Sequence, residues 1–243
     1  MALLQVNDVT MKFGQLVACD RVTFELNQGE MIGLIGPNGA GKTTLFNCIT
    51  GFYQPVEGSV YFDGQDITGA SPHSICHLGA VRTFQIVETL QEMTVLENVM
   101  VGAFVNYPRT GEARDKALET LDLCGLLDEK DTLAANLTIA HCKRLELARA
   151  LSTEPTLLML DEAMAGLTLT EVREAVELLS MLRDQGLTML VVEHVMEAIM
   201  PIADRIVVLD NGAVIAIDIP EEIAENERVI KAYLGERYHV ADR

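Results

Sequence analysis

The chain has 243 residues, 36 acidic and 18 basic, giving a formal net charge of −18. That excess of carboxylates disfavours a surface that wraps nucleic acid or docks on anionic lipid through a basic patch. Hydrophobic residues make up 49% of the chain, enough for a large core and too many for a disordered chain.

The length suits one domain carrying inserted subdomains. No apolar run reaches the roughly 18 residues that span a membrane. The start, Met1-Ala2-Leu3-Leu4-Gln5-Val6-Asn7-Asp8, has no basic region before its apolar residues and does not read as a signal peptide. Cys19, Cys48, Cys76, Cys124 and Cys142 are scattered and form no CxxC pair. They read as reduced, mostly buried thiols of a cytosolic protein.

In chain order, Met1 to Glu30 predicts short alternating strands punctuated by Gly14 and Asn27-Gln28-Gly29. Met31 to Ile35 is a continuous apolar run, as in a buried parallel strand. A glycine-rich segment follows, then a helix from about Lys42 to Thr50, stopped by Gly51. Gly58 to Ile67 predicts a hairpin-like return through Asp63-Gly64. From about residue 90 to 150 the pattern turns helical, with Met93–Ala103, Ala113–Leu123 and Lys143–Leu151. Apolar strands return at Thr156–Leu160 and Thr188–Val192. Between them a helix starts at a Thr168/Glu171 capping box, aligns Val172, Val176, Leu179 and Leu182, and ends near Gly186. Asp210-Asn211-Gly212 is a hairpin signal between two further strands. Strands alternating with helices predict a mostly parallel sheet with right-handed crossovers.

Two segments carry chemistry. Gly36-Pro37-Asn38-Gly39-Ala40-Gly41-Lys42-Thr43 is a complete Walker A segment at a strand-to-helix junction. Its glycines let the backbone turn tightly and aim N–H groups at phosphate oxygens, beside a helix N-terminus. Lys42 is placed for the β- and γ-phosphates, Thr43 for magnesium and Thr44 for the α-phosphate. Leu157-Leu158-Met159-Leu160-Asp161-Glu162 is a buried strand delivering two carboxylates to the sheet's carboxyl edge. Asp161 is suited to hold magnesium, Glu162 to polarise the attacking water. His73, Cys76 and His77 have a metal-compatible helical spacing but no fourth ligand nearby, and Cys142 reads as a small buried residue.

The order of these motifs resembles the ATP-binding cassette (ABC) ATPases from Met1 to Gly235. The likeness is greatest to the ATPase subunits of branched-chain amino acid importers, through Arg82-Thr83-Phe84-Gln85, Met93-Thr94-Val95-Leu96-Glu97-Asn98-Val99, Met164-Ala165-Gly166-Leu167 and Val229-Ile230-Lys231-Ala232-Tyr233-Leu234-Gly235. The resemblance implies an α/β phosphate-loop NTPase of RecA-like type. Its mostly parallel core, together with an N-terminal antiparallel β subdomain, would occupy residues 1–88 and 151–243, with a helical subdomain carrying the signature segment at 89–150. It implies Phe13 stacking on adenine beside Val17, Gln85 contacting magnesium or the water, and His194 contacting the γ-phosphate. Stacking accepts any base, so GTP stays open, although no Asn-Lys-x-Asp motif occurs.

Where the family reads Leu-Ser-Gly-Gly-Gln, this chain reads Leu137-Thr138-Ile139-Ala140-His141. In the family that segment caps the nucleotide of the opposite subunit. Thr138 keeps a hydroxyl, whereas Ile139 and Ala140 put side chains where glycine allows close approach. The D-loop, Ala165-Gly166-Leu167-Thr168, lacks the usual aspartate. The resemblance also implies ATP and Mg2+, and a homodimer or a heterodimer with a paralogous subunit. It implies two transmembrane permeases, a periplasmic-type solute-binding protein and a peripheral location on the cytoplasmic side of the inner membrane, with no nucleic acid partner. A soluble ABC protein of translation or DNA repair, another ABC transport system and a weakly hydrolytic partner subunit are the competing readings.

Overall fold

The computed structural model describes residues 2–84 and 88–233. Its first two strands are longer than their sequence signals. β1 (Ala2–Phe13) and β2 (Leu16–Asn27) form an antiparallel hairpin, with Leu4, Val6, Val9, Val22, Phe24 and Leu26 turned to one buried face. Alternation of apolar and polar residues selects that face. β4 (Glu57–Phe62) pairs with the other edge of β1, and the short β5 (Gln65–Asp66) closes the sheet in the order β2-β1-β4-β5. Asp63 and Gly64 both take positive φ in the tight turn between them, as a two-residue hairpin demands.

The second sheet is built on β3 (Met31–Ile35), every residue of which is buried. Its order is β10-β9-β3-β8-β7-β6, with β6 (Ala80–Arg82), β7 (Leu157–Asp161), β8 (Thr188–Val192), β9 (Arg205–Asp210) and β10 (Ala213–Asp218). All neighbours are parallel except the terminal β10–β9 hairpin. Both faces are covered. Ile32, Leu34, Met159, Leu190 and Leu209 pack under the antiparallel sheet and α1 (Lys42–Ile49). Met31, Ile35, Leu158, Leu160 and Val191 pack on the opposite side.

That opposite side also receives the helical insertion. α3 (Val95–Ala103), α4 (Thr110–Leu123) and α5 (Ile139–Leu151) share its apolar cluster with α6 (Leu169–Asp184). The Thr168/Glu171 capping box forms, and Gly186 takes φ +92 just past the helix. α2 (Pro72–His77) begins at the Ser71 cap. Among the strands and α-helices of the described residues, three were not read from the sequence: the three-residue edge strand β6, the single-turn α7 (Met196–Ile199) and α8 (Pro220–Glu225), the last despite its Pro220 start followed by Glu221 and Glu222.

Candidate nucleotide site

β8 lies between β3 and β7, so the carboxyl ends of these three strands open on one edge of the sheet. Parallel α/β sheets bind ligands there. The segment after β3 supplies the phosphate loop, the end of β7 supplies Asp161 and Glu162, and the end of β8 leads to His194.

Phe13, Val17, Asn38, Gly39, Ala40, Gly41, Lys42, Thr43, Thr44 and Glu162 line a single open cleft. Three neighbours that sequence reading missed, Leu16, Ala18 and Asn211, line it too. Phe13 is 43% exposed and meets Tyr53 edge-on at 5.4 Å, which leaves a ring face for a stacking partner. Asn211 arrives through backbone bonding. The N–H of Gly212 donates to Ala40 O at 3.0 Å, while Gly212 O accepts from Asp20 N–H at 2.8 Å. The β9–β10 turn thus ties β2 to the phosphate loop. The same turn was legible only as a hairpin.

Gly36 and Pro37 stand behind the cleft as acceptors. Lys42 Nζ donates to Gly36 O at 2.6 Å and to Pro37 O at 3.1 Å. These bonds fold the buried ammonium back over the loop that its own helix follows. The loop N–H groups and the N-terminus of α1 face the cleft, an arrangement suited to an anion.

Asp161 is almost fully buried. One oxygen, Oδ2, pairs with Arg82 Nη2 at 3.3 Å. Its other oxygen, Oδ1, has no hydrogen-bond partner, and Thr43 shares a cavity with it. A buried, unpartnered carboxylate oxygen in a cavity that a threonine also lines fits a hard divalent cation with oxygen ligands. Burial raises the Asp161 pKa, against the pull of Arg82. Arg82 also donates to Asn47 Oδ1 at 2.7 Å and Thr50 Oγ1 at 3.0 Å, with the rings of Phe46, Phe52 and Phe84 around its guanidinium at 4.7–4.9 Å. Sequence reading assigned this residue no part in the site.

Glu162 takes φ +50, a strained value for an L residue. Its Oε2 lies 3.9 Å from Nδ1 of the half-exposed His194. Gln85 lies outside the described residues, as do Leu234 and Gly235. The neighbour of Gln85 in the chain, Phe84, donates its N–H to the buried Glu146 of α5 at 2.8 Å.

Thr138 and Ala140 do not line this cleft. Thr138 caps α5, its hydroxyl accepting from His141 N–H at 3.2 Å. Ala140 is buried in a separate cavity with Leu147, Met164 and Leu179. Of the two side chains that stand where the family has glycine, the one that projects is therefore Ile139, 70% exposed, and not Ala140. The His73 and His77 rings pack at 4.3 Å, and no group of three His, Cys, Asp or Glu among the described residues could hold a metal. Cys142 is partly buried, which pushes its thiol pKa up.

A parallel sheet whose glycine loop, buried aspartate and strained glutamate meet at one edge defines a phosphate-loop nucleotide cassette. The family model described as ABC transporter matches residues 19–165, and one described as branched-chain amino acid ATP-binding cassette transporter matches residues 213–239. The chain belongs to the ABC transporter family and is one of its nucleotide-binding ATPases. It is 44% identical to the high-affinity branched-chain amino acid transport ATP-binding protein LivG of Escherichia coli, over 96% of this chain and 98% of that one. To BraF, the corresponding protein of Pseudomonas aeruginosa, it is 41% identical, over 96% and 98%. A solved ATP-binding cassette of an ABC transporter in its ADP conformation superposes with TM-score 0.88 and 32% identity, covering 97% of this chain and 99% of that one. A bacterial ABC transporter cassette solved as a dimer superposes with TM-score 0.81 and 26% identity, covering 89% and 98%.

Proposed function

We propose that this chain is the ATP-hydrolysing subunit of an importer for branched-chain or related amino acids. The observation that carries the reading is the single cleft joining Phe13, the phosphate loop and Glu162. The names of its relatives and the importer-type match at residues 213–239 support the substrate class. Residues 1–88 and 151–243 form the working core, and 89–150 the helical insertion.

In this reading Phe13 and Val17 receive the base, and the loop from Gly36 to Thr44 wraps the phosphates. Lys42 leaves its carbonyl partners to neutralise the γ-phosphate. Thr43 and Asp161, with Gln85, would hold Mg2+, which supplies charge neutralisation on the triphosphate when bound. Glu162 orients the water that attacks the γ-phosphorus, and His194 donates a hydrogen bond to that phosphate. Catalysis is then positioning and electrostatics. Thr138 and Ala140 face the nucleotide of a second cassette, either a copy of this chain or a paralogue, with Ala140 acting through its backbone. The dimeric solved relative supports that arrangement. Two permeases, a periplasmic-type binding protein and the cytoplasmic face of the membrane complete the proposal. Among the described residues no helix is long and apolar enough to cross a membrane.

Glu162→Gln tests the assignment. The variant is expected to bind ATP, accumulate as a nucleotide-bound dimer and release no phosphate. Phosphate release at the wild-type rate would overturn the role of Glu162. A second reading, a nucleotide-binding partner with weak hydrolysis, is favoured by the exposed Ile139 in place of glycine. ATPase rates of the chain alone and mixed with a paralogous subunit separate the two.

A further inference from the structure

The turn that presents Glu162 is strained, and two charged residues outside the cleft hold it. A non-glycine residue at φ +50 costs about 1–3 kcal/mol and persists only where its surroundings over-determine it. Glu162 N–H donates to Val192 O at 2.9 Å, tying the turn to β8. From one side Lys143, on α5, donates through Nζ to both Glu162 O at 3.1 Å and Ala163 O at 3.0 Å. From the other, the fully buried Glu193 accepts the Met164 N–H at 2.8 Å through Oε1. A cation thus satisfies the acceptors of the turn and an anion satisfies its next donor. Charge-assisted hydrogen bonds are stronger than neutral ones, so both ends of the three-residue segment are held firmly.

Neither Lys143 nor Glu193 lines the nucleotide cleft. Glu193 Oε2 has no hydrogen-bond partner. Joining elements through a buried carboxylate and a partly buried ammonium is a costly arrangement, and packed apolar groups often do as well for stability alone. The geometry points to a different task. We propose that Lys143 and Glu193 are positioning residues for hydrolysis, clamping the Glu162–Ala163–Met164 turn so that the Glu162 carboxylate is aimed at the water. Glu193 also fixes the backbone from which the adjacent His194 projects. Because Lys143 stands on the helix capped by Thr138, displacement of α5 withdraws its ammonium from the Glu162 and Ala163 carbonyls and leaves the Glu162 carbonyl only the Ala165 N–H, at 3.2 Å. The aim of Glu162 then depends on the seating of the helical insertion. This inference rests on Glu162 as the residue that orients water.

The test uses Lys143→Met, Lys143→Arg, Glu193→Ala, Glu193→Gln and the Lys143→Met/Glu193→Ala pair, with ATPase kinetics and fluorescent-nucleotide titration. Lys143→Met and Glu193→Ala should each lower kcat about tenfold or more while nucleotide Kd changes less than about twofold. Lys143→Arg and Glu193→Gln should recover most of kcat, because Arg still donates to the carbonyls and Gln still accepts from Met164. The double variant should be no slower than the slower single one, since either loss opens the clamp. Wild-type kcat in a folded Lys143→Met, parallel losses of kcat and affinity, or multiplying effects in the pair would each overturn the clamp. Should Lys143→Met not fold, Glu193→Asp decides: lower kcat at unchanged Kd supports the clamp, and unchanged kcat overturns it. Glu162→Gln is run alongside. If it is inactive while Lys143→Met turns over normally, the clamp alone fails; if it turns over normally, both readings fail.

Discussion

Gly41 shows how tightly single residues constrain the cleft. Its φ is +102, and a methyl group there would lie 2.3 Å from Ala18 O. Nothing in backbone contact can yield by that much without moving the loop off β2. Gly41→Ala is therefore expected to weaken nucleotide binding by about tenfold or more and to lower unfolding free energy by about 1–3 kcal/mol. Nucleotide titration and urea unfolding measure the two effects. Gly39, in the same loop, has open space where a methyl group would sit but also a positive φ of +79, so its substitution is strained without the clash. Arg82 marks the opposite situation. Its cation sits against the one buried carboxylate oxygen of Asp161 that is paired, leaving the second oxygen for a metal.

At the scale of elements, the helix starts are defined by caps written into the chain. Thr94 and Glu97 form a reciprocal capping box at α3, as Thr168 and Glu171 do at α6. Thr94 lines no part of the nucleotide cleft. Thr94→Ala should cost about 1 kcal/mol of stability in urea unfolding and leave nucleotide affinity unchanged. A matching loss of affinity would show that α3 is coupled to the cleft. The α6 box was read from the sequence because a cap needs only residues three apart; the same pattern at Thr94 and Glu97 was seen only in the structure. Helix α5 was legible only from Lys143 onward. Its first turn, Ile139 to Cys142, carries the departure from the family's glycines, and the Thr138 hydroxyl sets its true start.

Across the whole molecule, two apolar clusters lie on the two faces of the parallel sheet, and burial there decides the chemistry of the thiols. Burial pushes Cys19 up to about 12, Cys48 to about 11 and Cys124 to about 12, from an ordinary value of 9.0. Raised folded-state values mean that these thiols support the fold below about pH 9, where both states are protonated. The support is lost as pH rises towards 12 and the unfolded chain alone ionises. Unfolding midpoints measured between pH 8 and 10.5 should therefore fall more steeply than in a variant with Cys19, Cys48 and Cys124 replaced by Ala or Val. A thiol reagent at pH 8 should label native Cys76 and Cys142 first, and all five cysteines only after denaturation.

The sequence by itself determined the phosphate loop, the Asp161-Glu162 pair, the caps of α6 and the hairpin turns at Asp63-Gly64 and Asn211-Gly212. Each is a local pattern: a few residues within one strand-to-helix junction, one helical turn or one hairpin suffice to specify it. The same holds for the apolar strands that mark a buried parallel sheet. Only the tertiary structure decided the rest of the site. Asn211 reaches the cleft because Gly212 bonds both β2 and the phosphate loop, and Arg82 meets Asp161 because β6 pairs in parallel with β7. Lys143 and Glu193 converge on one turn from a helix and a strand end far apart in the chain. Such contacts depend on strand order, register and helix seating, and those are settled by burying both faces of the sheet at once.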